Sequence, residues 1–176
     1  MKKHSIATDP LEIASVHCPD GKGRIGLCPC PGGSLGGWSK RDTAADLRAL
    51  RDWGAGHLVT LIEDHEFRLL GVEDLPRRAA AADLAWHHLP IIDGGAPGSR
   101  FERGWGETGR VLHRHLAAGG RVVLHCLAGV GRSGTVAVHM LMEQGMPLDA
   151  ALPTVRRARP GAVESPEQLA WLRGKA

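Results

Sequence analysis

Two residues that together can cleave a phosphoester stand close in this chain: Cys126 and Arg132, with five residues between them. They lie in the stretch His125-Cys126-Leu127-Ala128-Gly129-Val130-Gly131-Arg132-Ser133-Gly134. A cysteine attacks as its thiolate, and a helix N-terminus beside an arginine favours that form. Arg132 offers a planar fork of donors that matches two phosphate oxygens at once. Gly129 and Gly131 let the backbone turn its N–H groups inward without Cβ clashes. The amides of Leu127, Ala128, Gly129, Val130 and Gly131 are therefore candidate phosphate donors. Ser133 is placed to donate to the Cys126 sulfur when it leaves, and His125 to hold the thiolate through its ring or its backbone. The competing reading is a buried structural cysteine at a strand end.

Such chemistry also needs a proton delivered to the departing oxygen. Asp93 is the candidate, in Pro90-Ile91-Ile92-Asp93-Gly94-Gly95-Ala96-Pro97, a carboxylate at a strand's end on a Gly- and Pro-punctuated loop. Its competing reading is a plain Asp-Gly turn. The carboxylates around His65, Glu63-Asp64-His65-Glu66, read as a solvated loop leading into a short helix over 67–70, with a role at the rim of a site left open. Cys18, Cys28 and Cys30, with His17, lack the paired spacing of zinc ligands. The segment over 27–33 is too rich in Pro and Gly to be regular, and a protective disulfide from one of these thiols to Cys126 is a further option. His87 and His88 alternate faces in a strand and do not easily share a metal. Arg156, Arg157 and Arg159 read either as a basic rim for a phosphorylated partner or as a solvated helix face. Nothing in this chemistry requires a metal or other cofactor, since Arg132 and the loop amides supply the positive field.

The elements that must position these groups are legible from pattern. Residues 121–125 are dense in β-branched side chains and read as a buried strand, and 135–143, apolar nearly all round, as a buried helix. Between them the loop sits at a helix N-terminus, where backbone N–H groups and the helix dipole favour an anion. Short strands are expected over 13–16 and 24–27, joined at Asp20-Gly21. Asp42 is a candidate N-cap for a helix over 43–53, followed by a strand over 57–62. A helix from Leu75 to Ala85, a strand over 86–89 and a helix from Ser99 or Arg100 to Ala117 follow. The C-terminal part reads as a helix over 148–158 with Pro153 as an irregularity. Ser165 and Gln168 then form a capping box with Pro166 at the first helical position of a last helix. Strands alternate with helices, so the expected fold is α/β, with a mainly parallel central sheet and helices on both faces.

Composition sets the wider bounds. At 176 residues the chain reads as a single domain over 1–176, with 1–12 a loose start. A formal charge of +3 suits an anionic substrate, but no basic run with interleaved aromatics argues for nucleic acid. Four cysteines are too few and too irregular for a disulfide scaffold, and a reactive thiolate wants a reducing compartment. No signal-peptide-like or membrane-length apolar run is present, so a cytoplasmic location without a membrane partner is expected.

The loop resembles the His-Cys-(five residues)-Arg-Ser/Thr signature of the cysteine-dependent protein tyrosine phosphatases. The flanking sequence is similar to small dual-specificity members, including the kinase-associated phosphatase (cyclin-dependent kinase inhibitor 3) type. In that type a Pro-Ile-x-Asp-Gly-Gly-x-Pro passage carries the general acid, which Asp93 matches. The passage from Arg159 to Gln168 resembles an Arg-Pro-Gly…Glu-Thr/Ser-x-Glu-Gln run of small atypical members, which implies a second role for Gln168 in orienting water. The resemblance runs from about Gly26 to Leu172. It implies a phosphoprotein phosphatase working through a cysteinyl-phosphate. Uncharged Leu127, Ala128 and Val130 argue against highly anionic inositol phosphates, and the absence of any Tyr argues against strict phosphotyrosine specificity. A phosphatase of small-molecule or lipid phosphoesters, a non-catalytic phosphoprotein-binding module, and another cysteine-loop enzyme such as a sulfurtransferase or arsenate reductase are the other readings. The oligomeric state is not legible.

Overall fold

The computed structural model describes residues 9–34 and 40–176. Most of the loose start expected over 1–12 thus lies outside the described residues. Five strands form one sheet: β1 (Ala14–His17), β2 (Arg24–Cys28), β3 (Ala55–Thr60), β4 (Ala85–His88) and β5 (Arg121–His125). Their order is β1-β2-β5-β3-β4. Only β1 runs antiparallel, paired to β2 across the turn at Asp20-Gly21; the other pairings are parallel. The expected mainly parallel sheet is therefore present.

Among the described residues seven helices cover the sheet, and alternation along the strands decides which side each faces. On β5, Val122 and Leu124 point to one core and Val123 to the other, as a period of two requires. The first core holds Phe101, Trp105, Leu112 and Leu116 of α4 (Ser99–Ala117), with α5 (Gly131–Glu143), α6 (Leu148–Ala158) and α7 (Pro166–Lys175). The second holds Leu47 and Leu50 of α1 (Thr43–Asp52), Leu70 of α2 (Asp64–Leu70), and Leu75 and Ala79 of α3 (Leu75–Ala81). Asp42 caps α1 by accepting from the amides of Ala44 (2.9 Å) and Ala45 (3.2 Å). Ser165 and Gln168 form the expected capping box on α7.

Helix α3 stops at Ala81, short of the expected Ala85, because Asp83 turns into the left-handed region at φ 57° and Ala85 opens β4. Three further boundaries differ for physical reasons. Strand β3 begins at Ala55 because a bulge between Ala55 and His57 lets it pair with β5 two residues early. Helix α5 begins at Gly131, not at 135, so Arg132 and Ser133 sit in its first turn. Helix α2 begins at Asp64 instead of after a loop, because Glu63 and Glu66 form a reciprocal capping box. No helix among the described residues is long and apolar enough to cross a membrane.

Candidate active site

The parallel strands end together, and their following loops meet at that edge of the sheet. β5 runs into the loop of Cys126 and Arg132. β3 leads to α2, and β4 leads to the passage of Asp93. Cys126 is 3% exposed, on the floor of its loop, with its sulfur 3.5 Å from the Ser133 hydroxyl.

The peptide groups of this loop all face one way. The carbonyl of Cys126 meets His125 Nδ1 (3.1 Å), that of Leu127 accepts from the Cys30 amide (3.1 Å), and those of Ala128 and Gly129 accept from Arg159 (2.7 and 3.0 Å). Farther along, the carbonyl of Val130 accepts from the Gly134 amide (3.1 Å) and that of Gly131 from the Thr135 hydroxyl (2.7 Å). With every carbonyl turned outward, the amides from Leu127 to Ser133 find no acceptor among the described residues. Converging N–H groups of this kind, at the start of a helix, form an anion cradle. Gly129 makes the turn possible: its φ is +72°, and a Cβ there would lie 2.4 Å from the Cys28 carbonyl carbon.

Arg132 is 1% exposed, and its guanidinium is held on three sides. It forms a fork-to-fork pair with Glu66 at 2.6 and 3.0 Å, donates to the Ile91 carbonyl at 3.1 Å, and meets Asp93 Oδ1 at 3.0 Å. Burial works against both charges of the Arg132–Glu66 pair, but their mutual bonds hold the guanidinium above its ordinary pKa and the carboxyl below. The Nε of Arg132 is buried and has no partner among the described residues. Asp93 is 62% exposed on a turn closed by a 2.9 Å bond from the Gly95 amide to the Ile92 carbonyl. The structure brings Asp93 and Arg132, both candidates from the sequence, into contact; Glu66, read as part of a solvated loop with a rim role left open, is a buried partner of Arg132.

His125 is fully buried, and that burial lowers its pKa to about 4. The ring is therefore neutral near pH 7. Its Nδ1–H faces the Cys126 carbonyl, so Nε2 accepts from the Thr60 hydroxyl at 2.7 Å. Thr60 in turn accepts from the Trp86 indole N–H at 2.8 Å. Of the two routes the sequence leaves open, ring or backbone, the ring makes no bond to the sulfur among the described residues; it anchors the backbone of Cys126 to β3 and β4.

Gln168, fully buried, accepts from the amides of Glu164 (2.8 Å) and Ser165 (3.2 Å) and donates to the Gly95 carbonyl (3.1 Å). A side chain at Gly131 would come within 3.2 Å of its Nε2. Gln168 thus joins α7, the anion loop and the loop of Asp93. Of the three arginines read as a basic rim or a solvated helix face, two lie on the surface and one turns to the anion loop. Arg156 and Arg157 are exposed, Arg156 donating to the carbonyls of Ala162 and Val163 and Arg157 to the Thr154 hydroxyl, whereas Arg159, at the C-cap, is half-buried and donates to the carbonyls of Ala128 and Gly129.

All four cysteines are free thiols. Burial raises the pKa of Cys28 and Cys30, keeping them protonated. Among the described residues no cluster of three or more His, Cys, Asp or Glu is arranged to hold a metal ion. His87 and His88 turn to different partners, His57 Nδ1 at 2.9 Å and the Ile62 carbonyl at 2.8 Å, as alternation requires.

Comparison with known proteins bears on this geometry. The family described as Tc-R-P: Polymorphic toxin system, DSP-PTPase phosphatase matches residues 33–146. Human protein tyrosine phosphatase type IVA 3 is 32% identical over 83 residues, 47% of this chain and 47% of the relative. Tyrosine-protein phosphatase CDC14 of Saccharomyces cerevisiae is 31% identical over 94 residues, 51% of this chain and 16% of the relative. The chain spans less than half the length of these curated relatives. Among solved structures, kinase associated phosphatase (KAP) with serine in place of its catalytic-site cysteine has a TM-score of 0.85 at 23% identity, covering 96% of both chains. Tk-PTP in the active form has a TM-score of 0.68 at 29% identity, covering 92% of this chain and 95% of its own. PTPMT1 in complex with PI(5)P has a TM-score of 0.67 at 20% identity, covering 85% of this chain and 88% of its own. The family match takes in most of the chain, including the whole loop from Cys126 to Arg132, and on that ground the chain belongs to the DSP-PTPase phosphatase family, within the cysteine-dependent protein tyrosine phosphatase superfamily.

Proposed function

We propose that the protein hydrolyses phosphotyrosine and phosphoserine/threonine esters of a phosphoprotein through a cysteinyl-phosphate. The observation that carries this is the run of amides from Leu127 to Ser133 beside Cys126, which have no partner among the described residues, together with the Nε of buried Arg132, likewise without one among them. In the first step the Cys126 sulfur bonds to phosphorus as the ester P–O bond breaks. The loop amides and Arg132 hold the equatorial oxygens, and Asp93 gives its proton to the leaving oxygen. In the second step Asp93 takes a proton from water. That water displaces the sulfur, and the Ser133 hydroxyl, 3.5 Å away, donates to the departing thiolate. Gln168, tied to the loop of Asp93, orients the water. His125 acts only by fixing the Cys126 backbone.

The substrate assignment rests on the uncharged side chains Leu127, Ala128 and Val130 in the loop. A reducing cytoplasmic setting fits a thiolate nucleophile. The test is hydrolysis of an aryl phosphate by the wild type, Cys126→Ser and Asp93→Asn, followed by phosphotyrosine and phosphothreonine peptides and phosphoinositide vesicles. The expected result is loss of turnover in Cys126→Ser and comparable rates on the two peptides. Undiminished turnover in Cys126→Ser overturns the mechanism, and a large preference for the vesicles overturns the substrate.

A further inference from the structure

We infer that Arg159, 27 positions beyond Arg132 in the chain, is a positioning residue that builds the anion cradle from outside. The inference deepens the reading of the loop given above and rests on it. A peptide unit presents its N–H and its carbonyl in opposite directions, so fixing one fixes the other. In the anion loop six successive carbonyls are captured from behind. Four of those captors are local or belong to secondary structure: the neighbouring ring of His125, the amide of Cys30 just past β2, the amide of Gly134 and the hydroxyl of Thr135. The middle of the loop, Ala128 and Gly129, has no such support. It is also the part with the widest choice of backbone conformation, because Gly129 sits at φ +72°.

Arg159 closes that gap. Its Nη2 donates to the Ala128 carbonyl at 2.7 Å and its Nε to the Gly129 carbonyl at 3.0 Å, two bonds from one planar group to adjacent peptides. A planar fork reads two acceptors with a fixed mutual angle, which an ammonium does not. The charge adds to this, because bonds donated by an ionised group are roughly twice as strong as neutral ones. Polarising a carbonyl also makes the N–H of the same peptide unit a better donor, so the cradle gains strength as well as shape. The side chain is 20% exposed, and its ion pair with the exposed Glu12 is long, 3.8 Å from Nη1, beside the two short bonds to the loop. It leaves α6 at the C-cap position, where the chain turns toward the 160–165 segment. The side chain lies behind the loop, on the carbonyl side, and does not meet substrate.

The test is calorimetric titration of inorganic phosphate into the wild type, Arg159→Ala and Arg159→Lys, with circular dichroism and thermal unfolding on each. Phosphate binding is read without turnover, so a wild type that binds phosphate but hydrolyses nothing sinks the proposed reaction and leaves this inference standing. The expected result is a loss of phosphate affinity of about ten- to a hundredfold in folded Arg159→Ala, with a smaller but clear loss in Arg159→Lys, which keeps the charge and loses the fork. The KM for an aryl phosphate rises in parallel. Affinity within twofold of the wild type in folded Arg159→Ala overturns the inference. Where Arg159→Ala does not fold, Arg159→Lys carries the test: unchanged affinity there overturns it, and a loss with native circular dichroism supports it.

Discussion

Glu66 and Arg132, 66 positions apart in the chain, meet fork to fork at 2.6 and 3.0 Å beneath the anion loop. The pair sets the plane of the guanidinium, so that its Nε edge stays free while the outer edge is tied to α2. Removing one partner of a buried pair leaves the other charge unpaired, which costs about 3–5 kcal/mol. Glu66→Ala is therefore expected to lower thermal stability measurably and to reduce kcat by at least about tenfold, the Arg132 fork having lost its rest. Glu66→Gln, which keeps the shape, should retain more stability than activity. Steady-state kinetics with thermal unfolding on both variants checks this; a Glu66→Ala protein with wild-type kcat refutes it.

Gly129 supplies a second prediction, because its conformation and its surroundings both exclude a side chain. A left-handed φ costs a residue with a Cβ about 1–2 kcal/mol. Here that Cβ would also lie 2.4 and 2.5 Å from the Cys28 carbonyl carbon and oxygen, backbone atoms that have nowhere to go. Gly129→Ala is expected to push the loop off β2, misdirect its amides and cut kcat/KM by about a hundredfold or more. Titration of vanadate as an inhibitor should show the same loss of affinity. Wild-type vanadate affinity in this variant would show that the loop tolerates the displacement.

What the sequence shows and what it hides divide along chain distance. The strand at 121–125, the Asp42 and Ser165 caps and the Cys126–Arg132 spacing are local patterns, and each appears in the structure. Glu66 was legible in part: Glu63-x-x-Glu66 before Phe67 has the three-residue spacing of a capping box, though with Glu in place of Ser or Thr. Nothing local tells that its carboxylate turns inward to Arg132. Arg159 and the Thr60–Trp86 pair behind His125 were hidden for the same reason. Their partners come from other strands and helices, and a surface arginine and a carbonyl clamp look alike along the chain.

Acid should weaken the fold in a defined window. Burial, with His115 and His87 close by, lowers the pKa of His57 to about 4, and burial does the same for His125. The unfolded chain takes up these protons near the ordinary histidine value of about 6.5. A depressed histidine thus contributes stability that is complete above pH 6.5 and is lost as pH falls toward 4. For fully buried His125 a gap of that size is worth on the order of 3 kcal/mol. The unfolding midpoint in urea is expected to be flat from pH 8 to 7 and to fall steadily from 6.5 to 4. His57→Asn should make that fall shallower. A midpoint that stays level down to pH 4 would contradict the assignment of neutral rings.

The Asp93–Arg132 contact bears on which substrates need the general acid. In the free protein Asp93 Oδ1 rests 3.0 Å from the same guanidinium that would hold phosphate. An arriving phosphate competes for that guanidinium and leaves Asp93 close to the departing oxygen, on a loop held by the Gln168 bond to the Gly95 carbonyl. The help the acid gives depends on the leaving group. An aryl oxide of low basicity departs with little assistance, whereas a serine or threonine alkoxide must be protonated as the bond breaks. Asp93→Asn should therefore lower kcat for a nitrophenyl phosphate by about tenfold and for a phosphothreonine peptide by about a hundredfold or more. Plotting log kcat against leaving-group pKa makes the comparison direct. The slope should be shallow for the wild type and steeply negative for Asp93→Asn, while equal slopes would place the proton donor elsewhere.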